Sequence, residues 1–303
     1  MGDGRDSPAD ALLSALASRP LVVDGGLGTL LTDRGADVAA PLWSAQTLIE
    51  QPDAILAAHR DYFAAGADVA VTASYQVSAT GFASAGRDAR EAGRMLARSV
   101  ELAARARDEA GRGWVAASVG PYGASLADGS EYRGDDGLSV AELRAWHHDR
   151  LRLLADSGAD LVAVETIPSL REVEALVLEL EGVGICAWIA VTPDGERLRT
   201  GEPLADAFGL AAASAQVIAV GVNCCPPEQV LGAVEIARSV TEKPVVAYPN
   251  SGETWDAVGR TWHGTPGFDA ELVRAWRDAG AGLIGGCCRT GPADIAAIAA
   301  ALA

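Results

Sequence analysis

The chain of 303 residues is short of positive charge and of aromatic side chains. Lys and Arg number 24 against 41 Asp and Glu, the net charge is −17, and aromatic residues make up 5% of the total. An acidic surface repels nucleic-acid phosphates and anionic membranes, so neither is an expected partner. The chain also lacks a run of about 18 uninterrupted apolar residues, so no membrane-spanning helix is predicted. Small-molecule partners remain, and the sequence indicates no particular oligomeric state.

Cysteine is scarce, and its placement is unusual. There are five cysteines, an odd number, and four of them form the adjacent pairs Cys224-Cys225 and Cys287-Cys288. The disulfide framework of a secreted protein uses an even number of separated cysteines, so a reducing, cytoplasmic setting is predicted instead. Cys186 begins an apolar run and is interpreted as a core residue.

Eight short apolar runs recur along the chain, and each is followed by a longer helical pattern. Apolar residues follow one another within these runs, which is typical of parallel strands buried on both faces. Eight strand–helix units predict a single α/β domain over residues 1–303, a closed (β/α)₈ barrel of the TIM type after a short N-terminal helix. The predicted strands are Leu21–Gly26, Val69–Tyr75, Trp114–Gly120, Leu161–Ile167, Cys186–Thr192, Val217–Cys225, Pro244–Asn250 and Leu283–Cys288.

The helical patterns carry start and stop signals. Ser139 with Glu142, and Ser169 with Glu172, each predict a capping box at a helix start. Glycines in the left-handed conformation are predicted at three helix ends, at Gly66, Gly158 and Gly280. The predicted helices cover 48–65, 88–109, 140–157, 170–180, 203–213, 226–240, 269–279 and 292–302.

Chemically unusual residues stand where the predicted strands end. In a barrel these ends meet at one mouth, where the following loops build the active site. Two long polar loops, 122–137 and 251–268, follow strands and are predicted to cover a substrate. The strand-end residues are Asp24, Gly25, Thr72, Tyr75, Glu165, Asn223, Cys224, Cys225, Tyr248, Asn250, Cys287 and Cys288.

The two cysteine pairs predict a zinc site. Thiolates are strong zinc ligands, and a catalytic site uses three protein ligands and leaves one position open. One cysteine from the sixth strand and both from the eighth would leave that position for a substrate thiol. Zinc would lower the pKa of this thiol from about 8.5 to below neutral. Glu165 lies in an apolar run, and a substrate ammonium group is its predicted partner.

Six stretches of the chain resemble the homocysteine S-methyltransferase family. They extend over nearly the whole sequence: DGGLGT at 24–29, ADVAVTASYQ at 67–76, VETIPS at 164–169, GVNCC at 221–225, YPNSGE at 248–253 and GGCCRT at 285–290. The resemblance implies a zinc ion held by Cys224, Cys287 and Cys288, with Cys225 packed in the core. It also implies that homocysteine is held near Asp24, Gly25, Thr72 and Glu165.

The resemblance also bears on the methyl donor. YPNSGE with Trp262 downstream is closer to the branch that uses a sulfonium, either S-methylmethionine or S-adenosylmethionine, than to the betaine branch. Trp255 stands where that branch more often has Tyr. A cation binds well over an aromatic ring face, so Trp43 and Tyr248 are candidate substrate contacts, together with Asn250. Direct in-line transfer of the methyl group to the homocysteine thiol is the predicted reaction.

Other functions stay open at this point. Betaine, another donor or a selenol acceptor would fit the same site, and a non-catalytic thiol redox protein would form a Cys287–Cys288 disulfide. A zinc hydrolase would use His and Asp ligands, but no His stands at a predicted strand end. His263 falls in the long loop after the seventh strand. Solvated surface positions are predicted for the three histidines in helical patterns, His59, His147 and His148.

Overall fold

Eight parallel strands form a barrel in this computed structural model, which describes residues 7–36, 42, 44–256, 261–264 and 269–303. The strands are β1 Leu21–Val22, β2 Val69–Val71, β3 Trp114–Val119, β4 Leu161–Ile167, β5 Ala187–Val191, β6 Val217–Asn223, β7 Val245–Tyr248 and β8 Ala281–Ile284. They are hydrogen-bonded in the order β1-β8-β7-β6-β5-β4-β3-β2, and a bridge between Val23 and Val69 joins β1 to β2. The predicted TIM-type barrel is therefore confirmed.

Helices surround the barrel. Among the described residues, no helix is both long and apolar enough to cross a membrane. Short antiparallel ribbons follow β5, at Pro193–Asp194 and Arg197–Leu198, and β7, at Thr254–Asp256 and Thr261–His263. The helices are α1 Pro8–Leu16, α2 Leu27–Asp33, α3 Ser44–Glu50, α4 Pro52–Ala65, α5 Ala79–Ser84, α6 Ala89–Ala110, α7 Val140–Ala155, α8 Leu170–Val183, α9 Leu204–Ala212, α10 Val230–Val240, α11 Ala270–Ala279 and α12 Pro292–Leu302.

The helix boundaries differ from the prediction at one place and agree with it at three glycines. The single helix predicted over 48–65 is wrong, because α3 and α4 are separate helices. Gln51 between them has φ −136° and ψ 53°, outside the helical region. The ring of Pro52 disfavours helical geometry at the preceding residue, and Pro itself is well suited to begin the next helix. The predicted left-handed glycines are confirmed, with φ of 110° at Gly66, 84° at Gly158 and 114° at Gly280.

Buried polar groups account for three further errors in the predictions. The capping box at Ser139 is confirmed. Only one of the two contacts predicted for the box at Ser169 is formed. The Ser169 hydroxyl accepts from the Glu172 amide, but the Glu172 carboxylate is hydrogen-bonded to His147 instead of to the backbone of Ser169. His59 and His147 are fully buried, which contradicts the predicted surface positions, whereas the His148 side chain is 48% exposed. Helical periodicity places a residue on a face but does not show which faces the barrel covers.

The core forms two layers. The larger layer lies between strands and helices, and a smaller one fills the barrel interior with side chains such as Leu161, Trp188 and Leu283. Helix α1 adds Leu12 to the interior layer, and each such fully buried side chain stabilises the fold by about 1.5–3 kcal/mol. Gly221 on β6 has no room for a side chain, since a Cβ there would lie 1.8 Å from the Val246 carbonyl oxygen.

Candidate metal and substrate site

Three cysteines meet at the barrel mouth. Cys224 directly follows β6, and Cys287 and Cys288 lie in the turn after β8. Their sulfur atoms all lie within 4.8 Å of one another. The Cys224 and Cys288 sulfurs are 3.7 Å apart, and those of Cys287 and Cys288 are 4.0 Å apart. The structure thus brings together the residues that the sequence singled out as zinc ligands.

The turn after β8 is held by backbone contacts with the end of β7. The Cys287 amide donates to the Pro249 carbonyl at 2.7 Å, and the Cys288 amide donates to the Asn250 side-chain oxygen at 3.2 Å. Gly286 is required for this close packing, because a Cβ there would lie 2.3 Å from the Thr290 hydroxyl. Asn250, which the sequence predicted as a substrate contact, therefore fixes the backbone of Cys288.

Three non-glycine residues at or next to the cysteine cluster have left-handed backbones. Cys224 has φ 50°, Thr166 has φ 62° and Arg289 has φ 64°, a conformation that non-glycine residues adopt at a cost. Asn223 holds Thr166 in place. Its side-chain oxygen accepts from the Thr166 amide at 2.6 Å, and its amide group donates to the Thr166 hydroxyl at 2.8 Å. The amide of Cys224 donates to the Tyr248 carbonyl at 3.2 Å.

The cysteine cluster has the spacing and the charge preference of a metal site. Two thiolates on one tetrahedral zinc, each at about 2.3 Å, lie about 3.8 Å apart, close to the observed separations. The three thiols also perturb one another. Hydrogen bonds to Cys224 and Cys288 raise the pKa of Cys287, and hydrogen bonds from Cys224 and Cys287 lower the pKa of Cys288. Three thiolates together call for a cation, and soft sulfur ligands suit zinc.

Glu165 ends a buried chain of hydrogen bonds across the barrel. The Trp188 indole donates to the Tyr248 hydroxyl at 3.1 Å, and Tyr248 is hydrogen-bonded in turn to Glu165. The Ser118 hydroxyl donates a second hydrogen bond to the Glu165 carboxylate. Burial raises the pKa of Glu165 to about 7, and the two hydroxyl donors oppose that shift. The carboxylate is therefore oriented by three strands and is ionised only near or above neutral pH.

Asp24 is a second buried carboxylate at the mouth. It is 2% exposed, and its side chain accepts a hydrogen bond from the Val71 amide at 3.0 Å. Burial raises its pKa well above the usual range, and the charge of Glu165 adds to the shift. Gly25 beside it allows close packing, because a Cβ there would lie 2.5 Å from the Thr290 carbonyl oxygen.

Thr72 has protein partners for its hydroxyl. The oxygen accepts from the Ser118 amide at 3.0 Å and shares a 2.7 Å hydrogen bond with the Ser74 hydroxyl. Thr72 thus supports the residue that donates to Glu165. Trp43, also predicted to contact substrate, lies outside the residues that the structure describes.

A family model described as homocysteine S-methyltransferase matches residues 21–302. The chain belongs to the homocysteine S-methyltransferase family. The resemblance seen in the sequence motifs is thereby confirmed, and so is the enzyme class, a methyltransferase. The matched region includes both cysteine pairs and the strand-end carboxylates Asp24 and Glu165.

Individual relatives agree over almost their whole length. The chain is 47% identical over 292 residues to the homocysteine S-methyltransferase of Escherichia coli, covering 92% of this chain and 94% of that one. It is 43% identical to homocysteine S-methyltransferase YbgG of Bacillus subtilis, covering 94% and 95%. Among solved structures, the metallated form of the E. coli homocysteine methyltransferase MmuM superposes with a TM-score of 0.87 at 44% identity, covering 97% and 99%.

The structure adds two site residues that sequence reasoning missed in this family member. In the loop after β3, the Tyr132 hydroxyl lies 3.0 Å from the Cys224 sulfur. Next to it, one carboxylate oxygen of Glu131 is buried and has no hydrogen-bond partner among the described residues. Burial raises the pKa of Glu131, and the charge of Cys224 adds to this. The sequence indicated the loop as a substrate cover, but nothing singled out these two positions within it.

Proposed function

We propose that this chain transfers a methyl group from a sulfonium donor to the thiol of L-homocysteine, with a zinc ion held by Cys224, Cys287 and Cys288. The observation that carries the proposal is the convergence of three sulfurs within 4.8 Å at the barrel mouth. The names of the relatives support homocysteine as the acceptor. The metallated form of the E. coli relative supports a metal at this site.

Zinc held by three thiolates would lower the pKa of the homocysteine thiol, so that the acceptor attacks as a thiolate at neutral pH. The protein supplies the rest. Glu165 and Asp24 are the buried carboxyl groups proposed to face the substrate ammonium, whose positive charge would favour their ionised forms and offset the cost of burying them. Gly25, Thr72, Tyr248 and Asn250 are proposed to shape the same pocket, directly or by holding those groups.

The charges at the mouth favour a cationic donor. Asp24, Glu131 and Glu165 place three carboxyl groups at the mouth, and a bound cation would favour their ionised forms although burial raises the pKa of each. The ring of Tyr132, beside the Cys224 sulfur, is a candidate contact for a sulfonium. Attack of a thiolate on a sulfonium forms the new S–CH₃ bond, breaks the old one and leaves two neutral thioethers. A site that excludes water favours a reaction that removes charge from both partners. Thiols of this kind also need a reducing compartment, which fits the cytoplasm.

The donor can be tested directly with the zinc-loaded chain under reducing conditions. Homocysteine is supplied with S-methylmethionine, S-adenosylmethionine or betaine in parallel, and initial rates of methionine formation are compared. We expect turnover with at least one sulfonium and none with betaine. Faster turnover with betaine would move the chain to the other donor class, and turnover after complete zinc removal would contradict the role of the metal.

A further inference from the structure

Helix α7 contains a buried cation that the proposed reaction does not use. Arg150 is 5% exposed and forms no ion pair with any carboxylate in the described ranges. Burial lowers its pKa to about 10, so the guanidinium stays charged at neutral pH. A buried charge that has only neutral partners is costly to the fold. A role at the site would account for that cost.

The guanidinium of Arg150 joins the ends of two barrel strands. It donates to the Gly120 carbonyl at 3.0 Å, just after β3, and to the carbonyls of Ser74 at 3.1 Å and of Tyr75, after β2. Gly120 and Tyr75 are themselves packed tightly, since a Cβ on Gly120 would lie 2.5 Å from the Tyr75 ring. Three hydrogen bonds from the two terminal nitrogens of this planar group therefore fix the backbone at this corner of the mouth.

Neighbouring contacts carry this constraint further along the loop. The Glu172 carboxylate accepts from the Tyr122 amide at 2.6 Å and is paired with His147 of α7 at 2.9 Å. Beyond it, Gly123 packs against Ser130, where a Cβ would lie 2.5 Å from the Ser130 backbone. The segment 120–132 is thus held from Arg150 at its start to Tyr132 beside the Cys224 sulfur.

From these contacts we propose that Arg150 is a positioning residue, which holds segment 120–132 so that Glu131 and Tyr132 face the cysteine cluster. The predicted effect of Arg150 on turnover rests on the proposed function, whereas its predicted effect on the conformation of segment 120–132 does not. Because the cysteines follow β6 and β8, and Arg150 contacts the ends of β2 and β3, loss of Arg150 should leave metal binding intact. It should loosen the segment and impair use of the acceptor.

The test compares R150M, R150K and wild type, with R152M on the exposed face of α7 as the matched control. Hydrogen exchange followed by mass spectrometry reports on peptides from 120–135, 217–225 and 281–290. We expect at least tenfold faster exchange in R150M for 120–135 alone, with one metal per chain retained. We also expect kcat/KM for homocysteine to fall at least tenfold. R150K should recover part of both effects, and R152M should match wild type.

Three results would overturn the proposal. The first is unchanged exchange in 120–135 together with kcat/KM within twofold of wild type in metal-loaded R150M. The second is faster exchange across all three regions, which would make Arg150 a general stability residue. The third is failure of both R150M and R150K to fold, which would assign it to folding alone. A wild-type chain without methyl transfer would refute the proposed function, while the exchange data would still decide the role of Arg150.

Discussion

Replacing Glu165 with Gln should show separately how this buried carboxylate affects the stability of the fold and how it affects the binding of homocysteine. Burial raises its pKa from 4.5 to about 7. The folded protein therefore holds the proton more tightly than the unfolded chain does, and the free energy of unfolding falls as pH rises from 4.5 through 7. The full loss corresponds to about 3 kcal/mol, which is a large fraction of the stability of an ordinary domain.

Gln does not titrate, so the E165Q variant should escape this loss. Relative to wild type, its free energy of unfolding should rise by about 2.5 kcal/mol between pH 5 and pH 8. Urea unfolding of both metal-free proteins at the two pH values measures the difference. The E174Q variant, altered on the exposed face of α8, is the matched control and should follow wild type at both values.

The same substitution should weaken the acceptor site. An ammonium that loses a charged partner in a buried site loses about 1.5–3 kcal/mol, which corresponds to a rise in KM for homocysteine of about 10- to 150-fold. The reasoning fails if the stability difference between E165Q and wild type is the same at pH 5 and pH 8. It also fails if KM is unchanged, because Glu165 would then be a structural residue only.

Two further predictions concern the cysteine pair and the strained backbone beside it. C224A should lose zinc and turnover, whereas C225A, altered in the core, should keep one zinc per chain and lose about 1–2 kcal/mol of stability. Metal analysis after gel filtration and urea unfolding measure both, and equal zinc loss in the two variants would contradict the assignment. N223A should cost about 2–3 kcal/mol, because both hydrogen bonds that hold Thr166 at φ 62° are lost. T166G in that background should restore part of the stability, and no recovery would argue against backbone strain.

The barrel could be predicted from the sequence because its signals are local. Each apolar run is long enough to define a buried strand, and glycines such as Gly66 and Gly280 mark where helices end. The strand-end positions of Cys224 and Cys287 followed from topology alone, because every strand of a parallel barrel ends at the same mouth. The signal for the helix break at Gln51, the following Pro52, was also local, but apolar residues at helical spacing on both sides favoured one continuous helix.

The remaining features depend on contacts between distant segments. Glu172 has the spacing of a capping residue, yet it pairs with His147 because that imidazole is desolvated and close. Tyr132 belongs to a polar loop with no periodicity, and only the folded path of 120–132 brings its hydroxyl to Cys224. Arg150 sits in an ordinary helical pattern, and its burial depends on which face of α7 covers the ends of two strands.

X-ray absorption at the zinc edge tests the central claim most directly. Spectra of the zinc-loaded, reduced chain are recorded alone and with homocysteine. The account predicts three sulfur neighbours without the substrate and a fourth sulfur, at about 2.3 Å, when homocysteine is bound. Three sulfurs in both spectra, in a preparation that still forms methionine, would show that the acceptor thiol is activated elsewhere and would contradict the account.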